Sequence, residues 1–166
     1  MNLPRGMKKD VVVKKLQDLQ DMAEEYSQCK KVAVGSELVL RKAESVTILG
    51  FNRTFPGSCK QEGCHRVNLY GDYSKEHRLP SDCRAVHSEV DAIAQAAKFG
   101  LPTEGATMFV TRYPCEACAR AIAVAGIKNV IYGRRQPISK ETEDIFTEAK
   151  VKAYHIDDWS WEDTDF

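Results

Sequence analysis

From residue 86 to residue 156 the chain alternates between helix-type and strand-type patterns, and this restricts the fold more than any other feature. A helical period over 86–99 is stopped by Gly100 and Pro102, and the apolar stretch "ATMFVT" follows. A second helical stretch, 115–125, ends at Gly126 before "NVIYG", and a third near 139–149 leads into "VKAYHI". Strands that alternate with helices call for right-handed crossovers and a sheet covered on both faces. The expected fold class is α/β, a three-layer α/β/α sandwich around a mixed sheet of about five strands.

Upstream, residues 8–28 place Val12, Leu16, Leu19, Met22, Ala23 and Tyr26 at helical spacing among charges, which predicts an amphipathic helix. "KVAVGSELVL" and "SVTILGF" read as two strands, a hairpin joined through "RKAE". Residues 52–84 carry Pro56, Gly57, Gly63, Gly71 and Pro80 with little periodicity, an irregular insert that is hard to hold in place by its own packing. With 166 residues, a single domain over 1–166 is expected, with the acidic end 157–166 as a loose tail.

Lys plus Arg and Asp plus Glu number 24 each, so no global field draws the chain to a polynucleotide or an anionic membrane. A small-molecule partner is favoured. The sequence has no apolar run of membrane-spanning length, and its first residues lack the apolar core of a signal peptide, so the expected compartment is the cytoplasm. In a reducing compartment six cysteines point to metal rather than to disulfides, and zinc is the leading candidate.

"CRAVHSEVDAI" puts His87 and Glu89 at a helix start, and "TRYPCEACARAIAVAGI" puts Cys115 and Cys118 at another, after Pro114. A carboxylate at a helix N-terminus is commonplace, and a lone C-x-x-C is usually a structural zinc half-site or a redox pair. Together they describe something narrower. Pro114 suits a first helical turn, Cys115 and Cys118 share a helix face, and the N-terminus favours their thiolates. With His87 they make three zinc ligands and leave a fourth position for water, which is the arrangement of a catalytic zinc. Two thiolates offset the ion's charge and weaken it as a Lewis acid, so a nearby base is useful. Glu89 is the candidate catalytic acid/base.

The H-x-E…P-C-x-x-C pattern is the signature of zinc nucleobase deaminases. The sequence resembles the cytidine and deoxycytidylate deaminase superfamily, and within it the deoxycytidylate (dCMP) deaminases, through "SQCKKVAVGSELV", "GFNRTFPGSC", "GCHR", "HSEVDAI" and "GATMFVTRYPCEACARAIAVAGIKNVIY". The resemblance implies that His87, Cys115 and Cys118 hold zinc, that Glu89 protonates the pyrimidine N3 while zinc-activated water attacks C4, and that dCMP becomes dUMP with loss of ammonia. It implies that Asn52 contacts the sugar or base. It further implies a homo-oligomer, a hexamer whose neighbouring subunits complete the pocket. Related deaminases often carry a second, structural zinc near the insert; here the candidate ligands are Cys29, Cys59, Cys64 and Cys83, with His65 and His77 as alternatives and small buried hydrophobes as the plainer reading of Cys29 and Cys83.

The chain departs from the family at several positions. Asp91 stands where relatives have Asn, on the side of the helix expected to face the pocket, where a carboxylate repels a phosphate unless an arginine offsets it. Arg53 replaces the last Gly of the family's G-Y-N-G, which puts nucleotide regulation in doubt. Gln136 replaces a tyrosine near the phosphate, beside Arg134 and Arg135, which are candidates for phosphate binding or plain surface charge. His155 reads as structural or surface. The alternatives are a deaminase of a cytosine nucleoside, of another cytosine nucleotide or of a riboflavin-pathway pyrimidine, a polynucleotide-editing deaminase, and a noncatalytic zinc module.

Overall fold

The structure is a computed structural model that describes residues 7–29, 31–41, 46–55, 59, 63–71, 83–134 and 139–156. His77, Arg135, Gln136, most of the "RKAE" connection and the acidic end 157–166 lie outside the described residues, as does the side chain of Arg134.

Helix α1 (Lys9–Tyr26) buries Val12, Leu16, Leu19 and Ala23, a stripe at three- and four-residue intervals. Strands β1 (Gly35–Val39) and β2 (Thr47–Phe51) pair antiparallel, as expected for the hairpin, although β1 starts later than the apolar run that suggested it. The helix α3 (Ser88–Lys98), strand β5 (Thr107–Arg112), helix α4 (Glu116–Val124), strand β6 (Asn129–Arg134), helix α5 (Lys140–Glu148) and strand β7 (Lys152–His155) follow in the alternation read from the sequence. The sheet order is β2-β1-β5-β6-β7, with β5, β6 and β7 parallel and β1 antiparallel to both neighbours.

The two-residue period of the strands sorts their side chains onto two faces. Leu38, Met108, Val110, Val130 and Tyr132 join Ala92, Ala96, Ala119, Ile122 and Phe146 in one core, so α3, α4 and α5 cover that face. Phe109, Ile131 and Tyr154 join the α1 stripe in a second core on the other. The result is the expected α/β/α layering. Gly50 is needed for it: a Cβ there would sit 2.2 Å from the Ser88 carbonyl oxygen, so only glycine lets the first turn of α3 lie against β2.

The described residues in and beside the insert include short regular elements. Strand β3 (Arg53–Thr54) pairs antiparallel with β4 (Ala85–Val86), and α2 (His65–Tyr70) closes on Gly71 at φ 79°. Elements of two and six residues are too short to show a period, which is why the sequence pattern misses them. No helix among the described residues is long and apolar enough to cross a membrane.

Candidate metal centre and acid/base site

Two helix N-termini converge on one place. His87 is the N-cap of α3 and Cys115 the N-cap of α4, both in extended backbone, so each side chain leaves its helix end instead of lying along the helix. This corrects one expectation: Pro114 precedes the cap and does not occupy the first helical position. Each cap carbonyl still accepts its helix's first bond, from Asp91 N–H at 2.9 Å and from Ala119 N–H at 2.8 Å. Cys118 lies one turn into α4 and is buried.

The His87 Nδ1 is 3.5 Å from Cys115 Sγ and 3.4 Å from Cys118 Sγ, and all three donor atoms lie within 4.8 Å of one another. Nitrogen and sulfur bound to one tetrahedral zinc are separated by roughly 3.5 Å, given the usual bond lengths. The donor set therefore fits zinc in both spacing and chemistry. The three donors hold one another's protons: the hydrogen bond from Cys118, with help from His87, brings the Cys115 thiol down to about 3, and the Cys118 thiol is pushed up by that same bond and by burial. The imidazole of His87 rises to about 10, chiefly through its bond with Cys115 and then with Cys83. A cation arriving here releases protons that the site already shares.

Glu89, two residues after His87 in the first turn of α3, is 4% exposed. Burial raises its pKa, the direction that suits a carboxyl required to take up and return a proton near neutrality. Its Oε2 accepts a 3.0 Å hydrogen bond from Ser88 Oγ, which lies 2.6 Å from Ser36 Oγ on β1. Both serines are fully buried. Because the Ser88 hydroxyl proton goes to Glu89, Ser36 donates to Ser88. Nothing local in the sequence marks this relay, since Ser36 and Ser88 meet only through the sheet.

Asn52 lines the same cavity as Glu89 while holding the frame together: its Nδ2 donates to Val32 O at 2.9 Å and its Oδ1 accepts from Ser88 N–H at 3.1 Å. One amide N–H is left for a ligand. Asp91 is placed differently from the expectation. It is buried, lines neither cavity beside His87, and accepts from Phe51 N–H at 3.1 Å and Arg53 Nε at 2.8 Å. The arginine that offsets it is Arg53, the other departure from the family pattern. His155 is buried, with Nε2 3.1 Å from Gly133 O and its ring against Tyr132.

The described residues do not bring the expected second set of ligands together as a group of three. Among the described residues, Cys29, Cys59, Cys64, Cys83 and His65 make no group of three donors, and His77 lies outside them. The four cysteines sit on separate segments, and Cys83 instead faces His87, whose hydrogen bond lowers its pKa. Two cavities meet at this centre, one of about 250 Å³ against Glu89 and one of about 710 Å³ against Cys118, sharing His87, Cys83 and Arg66 on their walls.

A caged carboxyl beside a His/Cys/Cys donor trio at the carboxyl end of β5 is a deaminase arrangement, and residues 10–158 match the MafB19-like deaminase family; the chain belongs to it. ComE operon protein 2 of Bacillus subtilis is 32% identical over 133 residues, covering 79% of this chain and 64% of that protein. The deoxycytidylate deaminase of Mycobacterium phage D29 is 35% identical over 115 residues, 66% of this chain and 84% of the relative. The chain spans about two thirds of the Bacillus subtilis relative and half of the Enterobacteria phage T2 deoxycytidylate deaminase. In fold it is similar to the dCMP deaminase from the cyanophage S-TIM5, solved in complex with dCMP and dUMP, with a TM-score of 0.65 at 22% identity, covering 90% of this chain and 98% of the other.

Proposed function

We propose that the protein hydrolyses dCMP to dUMP and ammonia with a zinc ion held by His87, Cys115 and Cys118. The observation that carries this reading is a buried carboxyl, Glu89, on the wall of the cavity that also exposes His87 and Cys115. Relatives named deoxycytidylate deaminase support the choice of substrate. When bound, zinc would supply Lewis-acid activation of a water molecule near Glu89. Glu89 takes the water's proton and passes it to ring N3, oxygen bonds to C4, and a second proton delivered through Glu89 lets the C4–N bond break and ammonia leave. Ser88 holds the carboxyl towards the cavity through this exchange. Asn52 fixes the α3 N-terminus to the chain before β1 and keeps one N–H for the pyrimidine or its sugar.

The test is ammonia release from cytidine, deoxycytidine, CMP, dCMP and dCTP, in the unaltered protein and in Glu89→Gln. The unaltered protein should release ammonia from dCMP. Glu89→Gln should keep its metal and its melting profile and lose at least about a hundredfold in kcat. Near-normal turnover in the variant would remove Glu89 from the mechanism, and no release from dCMP would overturn the substrate.

A further inference from the structure

His87 turns one ring nitrogen to the metal centre, and the other nitrogen has to be accounted for. Nδ1 faces both Cys115 Sγ and Cys118 Sγ. A ring held at one edge alone can still turn, and His87, as the N-cap of α3, has no preceding helical turn to lie on. A side chain from outside the donor trio meets it, that of Cys83. His87 donates a hydrogen bond to the Cys83 sulfur, which also accepts from the Ala85 backbone N–H. Cys83 and His87 stand together on the walls of both cavities at the centre. Cys83 nevertheless lies outside the group of donors close enough to share one ion, which is His87, Cys115 and Cys118.

The fold brings Cys83 to this place along a fixed path. Cys83 leads into β4, and β4 is paired with β3, Arg53 with Val86 and Thr54 with Ala85. Both residues of β3 are tied down in turn: Thr54 N–H donates to Gln28 Oε1 at 2.8 Å, and Arg53 Nε donates at 2.8 Å to Asp91 Oδ1, on the helix that His87 caps. The two-residue strand pair therefore has a use that its length hides, since it holds a sulfur one hydrogen bond away from a metal-ligand candidate. A histidine that binds a metal through one nitrogen ordinarily donates its other N–H to a fixed acceptor, which sets the tautomer and the direction of the ring. We propose that Cys83 is a positioning residue for the metal centre: its sulfur accepts the N–H of the His87 ring nitrogen turned away from Cys115 and Cys118, and so keeps Nδ1 aimed at the ion. One cysteine of the expected second site thereby serves the first. The inference rests on the zinc reading above.

The experiment measures metal binding to the full chain under reducing conditions, in the unaltered protein, Cys83→Ala and Cys83→Ser. Zinc affinity is read by competition with a chromophoric chelator, and cobalt(II) in place of zinc gives a sulfur-to-metal absorption band whose intensity counts the bound thiolates. Cys83→Ala should weaken zinc by about 10- to 100-fold, the usual cost of losing the outer partner of a metal-bound histidine. Cys83→Ser keeps an acceptor at the same position and should recover most of that loss. The cobalt band should keep the intensity given by Cys115 and Cys118 in all three proteins, and the metal-free proteins should melt alike. A band that drops by one thiolate in Cys83→Ala would make Cys83 a ligand and overturn the positioning role, as would an unchanged zinc affinity. Equal weakening in both variants, together with a lower melting temperature without metal, would reduce Cys83 to packing and overturn the role as well. An unaltered chain that binds neither zinc nor cobalt would remove the metal centre and this role with it. Selective weakening in Cys83→Ala, in a protein that releases no ammonia from dCMP, would instead uphold the role and sink the proposed reaction.

Discussion

Cys115 and Cys118 close on His87, whereas Cys29, Cys59, Cys64 and Cys83 form no group of three donors among the described residues, although both sets have residue types suited to zinc. The converging set sits on helix ends that are themselves fixed: α3 is pressed on β2 at Gly50, and α4 follows directly from β5 in the core. The other set is spread over the end of α1, the insert, the N-cap of α2 and the approach to β4. Metal binding needs donors brought to about 3.5 Å of each other, and a rigid scaffold supplies that where a shared composition does not.

The largest test of this difference is metal content. Cys118→Ser and His87→Ala should each lose about one equivalent of zinc and all measurable deamination, because a three-ligand site missing one ligand no longer holds its ion against competing water. Cys64→Ser should keep both. Loss of zinc in Cys64→Ser, with activity retained, would restore a second metal site and show that the insert is metal-bound after all. Elemental analysis of the purified proteins decides it.

The same contrast separates what the sequence made legible from what it did not. The α1 stripe, the β5–α4–β6–α5–β7 alternation and the H-x-E…P-C-x-x-C spacing are local patterns, and each has a period or a motif long enough to read. The pairing of β3 with β4 joins residues more than thirty positions apart through two-residue strands. Ser36 with Ser88 is nonlocal in the same way, and a lone serine in sequence has many uses. Arg53 and Asp91 are each visible as departures from the family, but only the close seating of α3 on β2 shows that they answer one another.

That pair ties the start of the insert to α3, so it measures how much the two regions depend on each other. Asp91→Ala should destabilise the protein by about 1–3 kcal/mol, since it leaves the buried Phe51 N–H without its acceptor. Arg53→Ala should cost less, about 1 kcal/mol or below, because the guanidinium is about half exposed and its attraction is screened. Denaturant melts of both variants and the double variant give the coupling directly. If Asp91→Ala instead melts normally but loses dCMP affinity, its carboxylate acts on the substrate and the structural role given to it here is wrong.

The smallest effect belongs to the relay inside the core. Ser88→Ala removes the donor to Glu89 Oε2 while leaving the metal-ligand candidates in place. One neutral-to-carboxyl hydrogen bond that orients a reacting group is worth about 0.5–1.5 kcal/mol, which is a fall of up to about tenfold in kcat. KM for dCMP should hardly move, because Ser88 lines neither cavity and touches the substrate only through Glu89. Ser36→Ala should give a weaker version of the same phenotype, since it acts one bond further back. In the double variant the two losses should fall short of their product, because once Ser88 has no hydroxyl, Ser36 has nothing to orient. A full multiplicative loss would mean that Ser36 steadies the sheet on its own account, and an unchanged kcat in Ser88→Ala would mean that burial alone holds Glu89 in position.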